Sequence, residues 1–134
     1  MCLDVYHKFP NIARTDIVCY KVLLSSDEGM NSPYQNFHWK YNKKYTANER
    51  FKICSKFKGR EYLCNDKYEV EEGYFHTFQT QMEAEISFEL WGNPFTRVYK
   101  CIIPAGSLYF SGKYGTVDGY ASKKLIVKEM VRFK

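Results

Sequence analysis

Residues 73–129 constrain the fold of this chain most, because strand-like and helix-like segments follow one another there with little chain between them. The strand-like segments are rich in aromatic and β-branched residues, which favour extended backbone on a half-buried sheet. The glycine-rich segment 112–119 predicts a loop between two of them. The predicted strands in this stretch are Tyr74–Phe78, Arg97–Ile103, Ser107–Phe110 and Lys124–Phe133.

The segment at about 80–91 is predicted to be the main helix. Thr80 is followed three residues later by Glu83, which is the capping-box pattern of a helix start. Gly92-Asn93-Pro94 predicts the end of the helix. Apolar residues recur at four-residue spacing and predict one apolar stripe. They are Met82, Ile86 and Leu90.

The amino-terminal half predicts fewer elements. Asp16–Leu24 predicts a strand, and its apolar residues on both faces predict a central position in the sheet. Residues 1–14 contain Pro10 and Asn11 as breakers, which predicts an irregular arm. The segments at 51–57 and 61–64 suggest a hairpin around Lys58-Gly59-Arg60.

Together these segments predict one α+β domain over residues 1–134, with a twisted mixed or antiparallel sheet packed against the helix at about 80–91. A chain of this length can bury a core without disulfides or a metal. The net charge of +5 comes from scattered Lys residues, which is typical of a solvated surface. A clustered basic stripe is absent, which argues against a nucleic-acid binder.

The cysteine content indicates the compartment. The five Cys residues are an odd number, and the first residues have no apolar core of signal-peptide length. No stretch approaches the ~20 apolar residues of a membrane span. We therefore expect a cytoplasmic protein with free thiols and no membrane partner. Cys19 and Cys101 lie in apolar strand segments and are expected to be small buried side chains.

Metal and cofactor sites are not predicted. The three His residues are far apart, and the Cys residues lack the short paired spacings of zinc sites. The sequence contains no Ser–His–Asp signature, no GxSxG motif and no Rossmann glycine motif. It favours a protein that is not an enzyme, and no residue is predicted to be catalytic.

Two segments carry candidate ligand-binding chemistry. His76 lies in the segment 75–78, just before the helix start, where anions are favoured. A histidine with only local hydrogen bonds would give the same pattern. Gly112-Lys113-Tyr114-Gly115 resembles a phosphate loop but departs from GxxxxGK[ST], so a plain turn explains it equally well. The residues predicted to line a ligand site are Lys21, Tyr34, His76, Thr77, Lys113 and Tyr120.

Several longer segments resemble a family of small proteins of gut Bacteroidetes and their phages, for which no activity is established. The resemblance covers roughly residues 12–129. It rests on the segments IARTDIVCYKVL, SPYQNF, EEGYFHTF, VYKCIIPAGSLYFSG and YASKKLIVKE. It implies a phage or mobile-element provenance rather than a mechanism.

Three shorter segments are similar to the ADP-ribosyltransferase-like scaffold: Tyr20-Lys21, residues 75–78 and IIPAG at residues 102–106. That scaffold has an Arg or His where Lys21 stands, a Ser–Thr–Ser strand and a late catalytic Glu. Here the Ser–Thr–Ser is absent, and no E-x-E or Q-x-E lies directly before the final strand. The resemblance therefore implies a related but catalytically silent fold.

These observations predict a small cytoplasmic accessory protein that binds a nucleotide-like or other anionic ligand, or a host protein, without catalysis. The alternative is a divergent ADP-ribosyltransferase-like or hydrolase enzyme acting on a nucleotide or NAD. A nucleic-acid binder is the second alternative. The oligomeric state is left open by the sequence.

Overall fold

The computed structural model describes residues 3–5, 9–26, 29–31, 38–47, 53–55, 68–70, 75–91 and 96–131. The strands are β1 (Leu3–Val5), β2 (Asn11–Ile12), β3 (Ile17–Ser26), β4 (Gly29–Asn31), β5 (His38–Trp39), β6 (Lys44–Thr46), β7 (Ile53–Ser55), β8 (Tyr68–Val70), β9 (Phe75–Phe78), β10 (Thr96–Ile103), β11 (Leu108–Tyr114), β12 (Val117–Ser122) and β13 (Lys124–Met130). The helix is α1 (Gln81–Trp91).

The fold is mainly β, so the predicted α+β class is wrong. The described residues form an antiparallel sheet with one short helix of 11 residues. The predicted cap is present, since Glu83 N donates to Thr80 Oγ1 at 3.2 Å. Two residues of the predicted apolar stripe, however, do not pack on the sheet, because Met82 is 69% and Ile86 45% exposed. The helix instead packs through the small side chain of Ala84.

The strongest strand predictions are confirmed. β3 and β10 pair over their whole common length, from Ile17 opposite Ile103 to Leu24 opposite Thr96. Their neighbours continue the sheet in the order β6-β13-β10-β3-β9-β12-β11-β1-β8-β7. β2 pairs with β11, and β4 lies between β3 and β5. β3 therefore has a central position, as its two apolar faces predict.

Lys123 joins two distant parts of this sheet. It is the single residue between β12 and β13, which are separated in the strand order by β10, β3 and β9. Its backbone N donates to Leu108 O at 3.0 Å, and its carbonyl accepts from Ala47 N at 2.7 Å. Because one nearly continuous strand contributes to both parts, the sheet must curl around its buried face.

The amino-terminal residues differ from the predicted irregular arm. β1 pairs with β11 and β8, and its side chains Leu3 and Val5 are fully buried. β2 pairs with the start of β11, where Ile12 lies opposite Leu108. Pro10 directly precedes β2 and Asn11 is its first residue, so these two breakers do not prevent a strand there.

The predicted glycine-rich loop at 112–119 is also wrong. β11 runs through Gly112 to Tyr114, and the turn is confined to Gly115 and Thr116 before β12 begins. Gly115 has a φ of 66°, which permits the tight turn. Gly112 serves a different purpose, since a Cβ there would lie 2.9 Å from Val5 Cγ1 and closer still to Asp4 O. β11 needs glycine there for the close approach of β1.

Most of the predicted hairpin at 51–64 lies outside the described residues; its described part, β7, pairs with β8, where Ile53 lies opposite Val70. The turn Lys58-Gly59-Arg60 lies outside the described residues.

The main core lies on the buried face of the sheet. Trp39 is 2% exposed and packs edge-on against Phe75 and Tyr45, with ring centroids 5.1 and 4.9 Å apart. Tyr99 and Phe110 are further large rings, both fully buried. A second, smaller cluster lies under α1. It contains Val22, Phe78, Ala84 and Val98.

Within the described ranges, no helix combines the length and the apolar character that crossing a membrane requires.

Candidate functional site

Three of the predicted site residues form a row across neighbouring strands. Tyr120 lies opposite Thr77 in the β12–β9 pairing. In the β3–β9 pairing Tyr20 lies opposite Phe78, which places the next residue, Lys21, beside Thr77. Residues opposite each other in an antiparallel pair share a face. Lys21, Thr77 and Tyr120 therefore lie on one face, which also carries the thiol of Cys19 two residues along β3.

The ammonium group of Lys21 has few partners. Lys21 Nζ donates to His76 O at 2.7 Å, and the described part of the chain provides no carboxylate for it. Burial lowers its pKa to about 8, although the Cys101 and Cys19 thiols partly offset that effect. An ammonium group with one neutral acceptor is costly to bury and is well suited to an anionic partner.

Thr77 adds a second polar group to this row. Its side chain is fully buried, and Oγ1 makes no hydrogen bond of good geometry within the described ranges. The hydroxyl lies against the Cys19 thiol and lowers its pKa, but the larger effect of burial raises that pKa to about 12. Tyr120 is partly buried, with its pKa raised by burial. Lys21 and Thr77 thus place a cation and an uncommitted hydroxyl side by side.

His76 lies on the opposite face of β9, so its side chain does not join this row. Tyr114 Oη donates to the carbonyl of Tyr120 at 2.7 Å, which uses its only proton. His76 Nδ1, at 2.9 Å from the same oxygen, must therefore be the donor to it. Burial, with a smaller effect of the Lys21 charge, lowers the pKa of His76 to about 3. The ring is neutral, and its unprotonated Nε2 is buried with no partner in the described structure.

The remaining predicted residues have different surroundings. Lys113 lies on β11 opposite Asp118, with 3.6 Å between its Nζ and Asp118 Oδ1, and both side chains are about half exposed. It belongs to a strand and not to the predicted loop. Tyr34 lies outside the described residues.

The sequence analysis did not identify a surface groove beside the amino-terminal segment. Two backbone hydrogen bonds hold this segment against the turn after β10: Ala13 N donates to Ser107 O at 2.9 Å, and Gly106 N donates to Ala13 O at 2.7 Å. Ala13 is thereby buried, and the side chains on either side of it face solvent. The groove has a volume of about 760 Å³. Its lining residues are Pro10, Asn11, Ile12, Arg14, Thr15, Ile17 and Tyr109.

The groove combines apolar and polar groups. Ile12 is 65% exposed, and Arg14 is exposed with no ion pair inside the described ranges. Tyr109 continues the groove toward the predicted site, since its ring meets that of Tyr120 at 5.9 Å between centroids. The groove is open to solvent and is lined by polar and apolar groups in similar measure, so a ligand would lie along it rather than be enclosed. In the sequence, an apolar Ile12 near the charged Arg14 was the one signal of this groove. The β2–β11 pairing is what places Tyr109 near these two residues.

No group of three or more His, Cys, Asp or Glu side chains suited to a metal ion occurs in the part of the chain that the structure describes. Comparison with family models, curated proteins and solved structures gave no match to this chain.

Proposed function

We propose that this protein is a small accessory protein that binds a nucleotide-like or other anionic small molecule without transforming it. The observation that carries the proposal is the groove beside β2, which is lined by an aromatic ring and by a guanidinium group that has no ion pair among the described residues. Arg14 supplies the charge and Tyr109 the ring, and both line the same groove. Guanidinium groups suit phosphates and carboxylates, and aromatic side chains stack on bases.

The neighbouring row of polar residues supports the same proposal. Lys21 and Thr77 offer a cation and a hydroxyl to an anion, and Tyr120 connects them to the groove through its contact with Tyr109. Thr77 is fully buried, so only a small anionic group could reach this depth. In this arrangement the groove holds the body of the ligand, and the row selects its charged end.

Binding to the groove is testable by titration calorimetry with ADP, NAD and inorganic phosphate. We expect Arg14→Ala to weaken the binding of ADP by about tenfold or more, because a charge-assisted hydrogen bond is lost. Tyr109→Ala should weaken it by about fivefold or more, whereas Tyr109→Phe should retain most of the affinity through stacking.

Lys40→Ala is the matched control, since Lys40 is also exposed and its loss changes the net charge equally. If Lys40→Ala and Arg14→Ala weaken the binding of ADP equally, the effect comes from the net charge alone and the groove is not the binding site. If the wild-type protein binds none of the three compounds, the small-ligand proposal fails. A host protein would then be the remaining partner of this exposed apolar and basic surface.

We place this activity in the cytoplasm as part of the proposal, together with a phage or mobile-element provenance. The support is the pair of buried free thiols, Cys19 and Cys101, which is typical of a reducing compartment. The provenance rests on the sequence resemblance alone.

A second candidate function, a divergent transferase or hydrolase acting on NAD or a nucleotide, is favoured by one observation. His76 is held as the Nδ1–H tautomer by Tyr114, which leaves Nε2 as a proton acceptor. An oriented neutral imidazole can accept a proton at Nε2, and the pKa of about 3 makes it a weak base. Incubation with NAD or ATP, followed by chromatography, tests this candidate.

If the enzyme candidate is correct, product should form and His76→Asn should reduce its rate by about a hundredfold or more. Tyr114→Phe should reduce the rate less, because the ring keeps its place and only the orienting hydrogen bond is lost. An unchanged substrate over many hours, with ADP binding intact, would contradict the enzyme candidate and leave the binding protein.

A further inference from the structure

Two cysteines face each other across the two central strands. In the β3–β10 pairing, Cys19 lies directly opposite Cys101, and both side chains are fully buried. Opposed residues of an antiparallel pair have Cα atoms about 4.5 or 5.5 Å apart, depending on the hydrogen-bonding position. Both values fall within the range of about 4.4–6.8 Å that a disulfide requires. The backbone thus already has a spacing that a disulfide can adopt.

The surroundings distinguish the two thiols. Burial raises the pKa of both thiols, that of Cys19 to about 12 and that of Cys101 well above its usual value. Thr77 and the backbone of Ile103 partly offset this effect on Cys19. Cys101 instead donates its thiol proton to Tyr99 O, with 3.7 Å between sulfur and oxygen. When the sheet briefly opens, Cys19 is therefore the thiol that ionises first, and Cys101 is placed to react with it afterwards.

We propose that Cys19 and Cys101 form a buried dithiol that a small peroxide oxidises to a cross-strand disulfide. When the sheet briefly opens, Cys19 loses its proton to water, and the thiolate attacks one oxygen of hydrogen peroxide. The O–O bond breaks, Cys19 becomes a sulfenic acid, and the hydroxide that leaves takes up the released proton as water. The Cys101 sulfur then attacks the Cys19 sulfur, and the hydroxyl group leaves with the Cys101 proton as a second water. In total, two thiols lose two protons and two electrons, and one peroxide yields two waters.

Burial restricts which oxidants can act. Both thiols have no exposed surface, so a small oxidant has access only through brief opening of the sheet, and bulky disulfides are excluded. The bond would lock together β3 and β10, the longest paired strands of the sheet. It would also remove both thiol groups, which partly offset the effect of burial on the pKa of Lys21. Oxidation would therefore change the pKa of this neighbouring cation.

Peptide mapping of the full-length wild-type protein tests the proposal. The protein is treated with hydrogen peroxide, unfolded with an alkylating agent present and digested with trypsin. Cleavage after Lys and Arg places Cys19 in peptide 15–21 and Cys101 in peptide 101–113, separate from the other three Cys residues. We expect these two peptides to be recovered joined, at the sum of their masses less two hydrogens.

A second measurement compares two forms of the wild-type protein, so it does not require any variant to fold. The disulfide closes a long loop, so the oxidised wild-type protein should melt about 10 °C higher than the reduced protein and return to its original value with dithiothreitol. Cys101→Ala should show neither the joined peptide nor the shift. Recovery of peptides 15–21 and 101–113 fully alkylated after prolonged peroxide treatment, or joined to other cysteines instead, would overturn the proposal.

Discussion

Gly112→Ala is expected to destabilise the protein by about 2–4 kcal/mol, because the new methyl group has no room between β11 and β1. The added Cβ would lie 2.9 Å from Val5 Cγ1 and closer still to the backbone carbonyl of Asp4, which cannot rotate away as a side chain would. β1 must therefore move outward. That movement loosens Leu3 and Val5, which are fully buried and contribute about 2 kcal/mol each.

Gly115, in the hairpin that β11 and β12 form, provides a control, because strain there would come from the backbone conformation and not from a lack of space. Gly115 has open space around its Cβ position but a φ of 66°, so Gly115→Ala should cost only about 1 kcal/mol. Urea unfolding of both variants measures the difference, and hydrogen exchange of residues 3–5 reports the release of β1. A Gly112→Ala variant within about 0.5 kcal/mol of the wild type would show that β1 is not tightly packed on β11.

Lys21→Met is expected to raise the free energy of unfolding at pH 7 by about 2 kcal/mol. In the folded protein, burial lowers the pKa of Lys21 from 10.5 to about 8, so below pH 8 folding carries the full cost of burying the cation, about 3 kcal/mol. Met fills a similar volume without a charge. The lost hydrogen bond to His76 O offsets about 1 kcal/mol of the gain.

The pH dependence gives this prediction a distinctive sign. Between about pH 8 and 10.5 the unfolded chain holds a proton on Lys21 that the folded protein has released, so this residue makes stability rise with pH. The advantage of Lys21→Met should therefore be largest below pH 8 and shrink toward pH 10. Cys19 acts in the opposite direction above pH 9, because its pKa in the folded protein is raised to about 12.

The comparison of the two proteins at each pH cancels most of the Cys19 contribution, since both carry that thiol. Lys40→Met, at an exposed position, should show no such trend between pH 6 and 10. A Lys21→Met variant that is less stable than the wild type at pH 7 would mean that the ammonium has a partner stronger than the His76 carbonyl. A stabilised variant with weaker ligand binding would indicate that Lys21 serves function at the expense of stability.

The sequence predicted the long strands well because their own residues decide them. β3 and β10 carry β-branched and apolar residues on both faces, and that pattern requires a central strand whatever the neighbours are. The cap at Thr80 is local in the same way, since donor and acceptor are three residues apart. Such features depend on few distant contacts.

The class of the fold could not be predicted because it depends on which faces of the helix and strands are covered by other parts of the chain. The spacing of Met82 and Ile86 is correct for a helix, but the helix uses Ala84 to pack and leaves these two exposed. Gly112 has the composition of a loop, but it lies in a strand that pairs with β12 on one side and with β1, from the far end of the chain, on the other. Tertiary contact, not local preference, decided both cases.

The candidate site was predictable in part. Strand alternation places Lys21 on the face of Cys19, but the register that brings Thr77 and Tyr120 alongside is set by pairings between distant segments. The same limit explains His76, whose partner Tyr114 is 38 residues away. The groove was missed because Arg14 and Tyr109 are brought together only by the β2–β11 pairing.

The position of Lys123 between β12 and β13 also bears on how the protein is made. These two strands are synthesised after all four of their partners, β6, β9, β10 and β11. Until residues 117–130 have left the ribosome, the emerging chain presents strand edges without partners, which favour association between chains. We therefore expect the sheet to assemble late and as one event, which makes folding slow and dependent on chaperones during translation.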